Sequence, residues 1–128
     1  MDYETVCKKI IELDPKIRFA GMINEKGRLF AGGMRGGLKP LEDTKEDEML
    51  YMELVLRTKM RREFDHVLGP VKFAMSYREK AIVMSFPVAE NVLLISAEQG
   101  FDFTNVPFKI LKILDHCDRT FINCLAPL

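Results

Sequence analysis

The sequence predicts an α+β domain, a five-stranded antiparallel sheet with helices packed against it in the order α-β-β-α-β-β-β-α. Three observations lead there. Apolar residues recur at three- and four-residue spacings in three separate segments. Between and after them lie stretches of period-two alternation or short continuous apolar runs, the pattern of strands. The connections between those strands are too short for parallel crossovers, so antiparallel pairing is expected. At 128 residues the chain is read as a single domain over residues 1–128, long enough to bury a core without disulfide or metal staples.

The first helix lies in "DYETVCKKIIELDP", with Tyr3, Val6, Cys7, Ile10 and Leu13 on one face. Asp2 caps its start, and Pro15 disfavours helical geometry at Asp14 and ends it. A hairpin follows, "KIRFAGMI" and "RLFAGG" around the turn "NEKG". Asn24 opens that turn and Gly27 supplies the positive φ that it needs. Gly32 and Gly33 weaken the end of the second strand, and Gly36 and Gly37 open a long loop through "LKPLED".

The longest helix is expected over 44–68, with Thr44 and Asp47 as a variant capping box and Gly69 and Pro70 closing it. Its stripe of Met49, Met52, Leu56, Met60, Phe64 and Val67, widened by Leu50, Leu54 and Val55, requires cover on one side. Three strands follow, "VKFAMSY", "AIVMSFPV" and "VLLISA", as a meander. Pro107 sits in the first turn of a last helix whose apolar face holds Val106, Ile110, Ile113, Leu114 and Cys117. The tail "TFINCLAPL" is too apolar to stand free in water.

Composition narrows the function classes. Nineteen basic residues balance 19 acidic ones, which excludes a globally basic nucleic-acid surface. The three cysteines, Cys7, Cys117 and Cys124, form no CxxC pair and fit reduced thiols. The N-terminus lacks the basic start and apolar core of a signal peptide, and no apolar run approaches the roughly 20 residues of a membrane span. A cytoplasmic, soluble protein is the expectation.

Candidate chemistry is thin. The glycine-rich "GGMRGGLKP" matches neither a dinucleotide fingerprint nor a P-loop, and the acidic "LEDTKEDE" that follows would repel an anion, so these glycines turn the backbone. "DHCDRTFINC" matches no zinc spacing, and Cys117 continues an apolar face. Two distant histidines and no nucleophile motif give a hydrolytic triad no support. No enzyme activity, cofactor or metal is expected. The basic run "RTKMRR" ends a helix that opens with acids, as the helix dipole favours, so nucleic-acid binding through Arg57, Lys59, Arg61 and Arg62 is the weakest reading.

The element order, together with "FAGMINEKGRLFAGG" and "VLLISAEQGFDF", resembles the roadblock/LC7 family within the profilin-like group. The chain also resembles a group of short uncharacterised archaeal proteins. Roadblock proteins pair their long helices and sheet edges into dimers that act as platforms for small GTPases or larger assemblies. The resemblance therefore implies a non-enzymatic dimerisation or scaffold module, a homodimer whose further partner is a small GTPase or a paralogous roadblock-like protein. On this reading Leu50, Leu54, Arg57 and Arg61 form the dimer or partner surface, with Leu54 outward and Leu56 in the core. The alternative is a profilin-like sensor of a small ligand, for which the polar groups Ser76, Tyr77, Arg78 and Ser85 lie scattered along strands.

Overall fold

A computed structural model describes residues 2–41 and 43–125, with side chains described through residue 116. The elements are α1 (Tyr3–Ile11), β1 (Ile17–Ile23), β2 (Leu29–Met34), α2 (Thr44–Arg62), α3 (Asp65–Leu68), β3 (Ala74–Tyr77), β4 (Ile82–Val88), β5 (Asn91–Ala97) and α4 (Val106–Leu125). The five strands form one antiparallel sheet in the order β2-β1-β5-β4-β3. The α+β class and the five-stranded sheet are those the sequence predicts.

Helices lie on both faces, which is why β5, at the centre of the sheet, is buried through Val92–Ile95. On one face α1 and α4 enclose the larger core, including Val6, Ile10, Met22, Met84, Phe86 and Ile110. On the other, α2 sets Leu54 and Val55 against Phe19, Ile23 and Leu94. Cys7 is buried in the larger core, where burial and then the Glu4 carboxylate push its thiol up to about 11. Cys117 and Cys124 lie outside the described side chains.

The hairpin forms as expected. The Asn24 side-chain oxygen accepts the backbone N–H groups of Lys26 and Arg28, and Gly27 takes φ +77°. A Cβ at Gly27 would also come 3.0 Å from the Met52 methyl. Gly27→Val is therefore expected to cost about 1–3 kcal/mol and lower the thermal unfolding midpoint by several degrees, read by circular dichroism. An unchanged midpoint would contradict the assigned strain.

Three expectations for the long helix need correction. Its cap is Asp43 rather than Thr44: Asp43 accepts the Glu46 N–H at 2.8 Å, and Glu46 reciprocates at 3.0 Å, a capping box one residue earlier. The helix does not run unbroken to residue 68. Bonding tightens to i→i−3 at Glu63 and Phe64, and the separate turn α3 follows. Most consequential, the stripe expected to be covered is the outer face: Met49 is 71% exposed, Met60 68% and Leu56 52%. The face that packs on the sheet is Leu50, Tyr51, Leu54, Val55 and Thr58. Thr58 fits there because its hydroxyl donates to Leu54 O at 2.7 Å within the same helix.

Candidate functional site

The glycine stretch is structural. Gly32 holds φ +78°, and a Cβ there would lie 2.1 Å from Ala20 O and 2.8 Å from Cys7 Sγ, so only glycine lets β2 pass this close to β1 and α1. Glu4 accepts the Gly32 N–H at 3.1 Å. Arg35, between the two glycine pairs, donates to Ile11 O at the end of α1, to Asp14 O in the turn after it and to Ile17 O at the start of β1. That guanidinium is occupied as a clamp.

The surface with unmet demand is the α2 side of the sheet. α2 packs over β1 and β5 and reaches the near side of β4, where Ser85 is buried and Val83 half-buried, but leaves β3 open. Between α2 and strands β4 and β3 runs a groove of about 180 Å³, lined by Leu50, Glu53, Leu54, Arg57, Arg61, Ala74, Ser76, Arg78, Val83 and Ser85. All four residues named from the sequence as a partner surface stand along this groove. They do so differently: Leu54 is only 7% exposed and belongs to the core, Leu50 is half-buried, and Arg57 and Arg61 form the upper flank. The assignment of Leu54 as outward and Leu56 as core is thus reversed.

Arg57 Nε lies 3.5 Å from Glu53 Oε1 one turn earlier, an exposed pair. Arg62 donates to Ala89 O at 2.8 Å, which ties the end of α2 to the β4–β5 turn and takes it out of any basic patch. Of the polar groups scattered in sequence, Ser76, Arg78 and Ser85 meet in the groove. Tyr77 points to the opposite face, its ring 5.7 Å from that of Phe103 in an edge-on contact. Glu53, Ala74 and Val83 were missed by the sequence reading: Glu53 lies on α2 itself, and only the register of β3 with β4, Ala74 opposite Ser85 and Ser76 opposite Val83, brings Ala74 and Val83 to that helix.

Beyond β3 the sheet ends, and Met75 and Tyr77 on this short edge strand are exposed. No three potential metal-ligating side chains come together among the described residues, and none of their helices is long and apolar enough to cross a membrane.

Residues 1–124 match the family of unknown function DUF6659. The chain belongs to this family. No curated protein matches the sequence. The DUF6659 fold is shared with solved structures at low identity. A roadblock/LC7 domain from Streptomyces avermitilis superposes with TM-score 0.69 at 10% identity, covering 95% of this chain and 99% of that one. Myxococcus xanthus MglB gives TM-score 0.69 at 13% identity, over 94% and 95% of the two chains. Profilin II of Acanthamoeba castellanii gives 0.62 at 10% identity, over 91% and 96%. This DUF6659 chain therefore has a roadblock/LC7-like fold within the wider profilin-like group.

Proposed function

We propose that the chain is a non-enzymatic homodimerisation and scaffold module whose second copy covers the open part of the α2 sheet face. The observation that supports this is geometric. Five strands span roughly 19 Å at their usual spacing, whereas one helix with its side chains is about 10–12 Å across. One helix leaves the part of that face toward β3 uncovered, and no other helix among the described residues packs there: α1 and α4 are spent on the larger core. A second copy brings the missing α2 and a second β3 edge, which the first copy's unpaired edge can meet. A two-fold axis there sets each groove against its equivalent.

On such a dimer the outward stripe of Met49, Met52, Leu56 and Met60 stays available to a further partner, and methionines suit a surface that adapts to what it binds. A small GTPase or a paralogous roadblock-like protein is the partner class the roadblock resemblance implies. Multi-angle light scattering of the purified chain at micromolar concentration is the test. A dimer mass is expected, and a monomer mass would remove the reading.

A further inference from the structure

Adjoining the groove, under the first half of α2, is a larger cavity of about 440 Å³, within the size range of small-molecule sites. Its lining divides into two parts. Phe19, Leu50, Leu94 and Val83, with Tyr51 stacked on Phe19 at 6.4 Å between ring centroids, make an apolar bed. At its rim stand three cations, Arg18, Arg78 and Lys80, and among the described residues that line it a single carboxylate, Glu46. Glu46 is already engaged in the α2 capping box.

The cations are not equivalent. Arg18, 15% exposed at its side chain, is held by Lys39 O at 2.7 Å and Glu98 at 3.3 Å. Arg78 and Lys80 stand on the β3–β4 turn, which is fixed by the Arg78 N–H donating to Ala81 O and by the Gln99 side-chain amide donating to Arg78 O. Neither the Arg78 guanidinium nor the Lys80 ammonium has a hydrogen-bond or ion-pair partner among the described residues. Two anchored but unneutralised cations at the mouth of an apolar cavity are complementary to one kind of small molecule.

We propose that this cavity binds a small amphipathic anion, its aliphatic or aromatic body on Phe19, Tyr51 and Leu94 and its carboxylate or phosphate between Arg78 and Lys80. The cavity is lined by one chain, and it shares Leu50, Arg78 and Val83 with the groove. Burying the body removes apolar surface from water, and the head gains charge-assisted hydrogen bonds that a neutral analogue lacks.

The test is isothermal titration of the full chain with octanoate, 2-naphthoate and octanol. Saturable one-to-one binding of at least one anion is expected, with octanol about tenfold weaker or worse. The better of the two anions distinguishes an aliphatic from an aromatic body. Lys80→Glu, which lines the cavity and not the groove, is expected to weaken the anion by about tenfold while octanol binding and the light-scattering mass stay unchanged. Met49→Glu with Met60→Glu is expected to leave anion affinity intact, which separates the cavity from the exposed methionine stripe. Absence of saturation by either anion, equal binding of octanol, or indifference to Lys80→Glu would overturn the proposal.

Discussion

Leu54→Glu is expected to unfold the domain, while Leu56→Glu leaves it folded. The two positions lie two residues apart on α2 and differ by about 200° around its axis. Leu54 packs in the cluster of Phe19, Ile23, Val55 and Leu94, whereas Leu56 is half exposed. Glutamate at 54 loses that packing and sets a carboxylate against the apolar cluster of Phe19, Ile23 and Leu94, at a cost of about 4 kcal/mol. That is a large share of the roughly 5–15 kcal/mol that holds a domain together. Glutamate at 56 stays in water and changes stability by about 0.5 kcal/mol or less. Urea unfolding followed by circular dichroism measures both. Equal loss in the two variants would mean that α2 is rotated from the orientation described.

The same pair shows where sequence and structure part. Alternation in β1, the Asn24–Gly27 turn, the Asp2 cap and the strand meander were all legible, because each is decided by neighbours in the chain. The facing of α2 is not decided that way. The helix carries two apolar stripes, one through Met49, Leu56 and Met60 and one through Leu50, Leu54 and Val55, and both satisfy helical spacing. The longer stripe is the exposed one. Thr58, which reads as polar, belongs to the buried face because it is satisfied by its own helix. The break after Arg62 carries no glycine or proline to announce it. The groove draws on α2, β3 and β4 and the cavity on β1, α2, the β3–β4 turn, β4 and β5, so no local pattern could have assembled them.

Reversing the charge of Arg57 is expected to dissociate the proposed dimer without unfolding the chain. In a two-fold arrangement centred on the groove, the acidic and basic residues on the upper flank, Glu53 and Arg57, face their symmetry equivalents, so each Arg57 can pair with the other copy's Glu53. Within one chain that pair is exposed and contributes only about 0.3–0.5 kcal/mol, so its loss leaves the fold intact. Across the interface, Arg57→Glu sets four carboxylates against one another, and Glu53→Arg sets four guanidinium groups. Each variant alone is expected to run as a monomer by light scattering at a concentration where the unaltered chain is a dimer. Mixed in equal amounts, the two restore complementary charge at both pairs and are expected to form a heterodimer, separable by native mass spectrometry. An intrachain effect cannot produce that rescue, because mixing does not repair either chain internally. Monomers that remain monomeric after mixing would place the two-fold axis elsewhere, and variants that still self-associate would take Glu53 and Arg57 out of the interface.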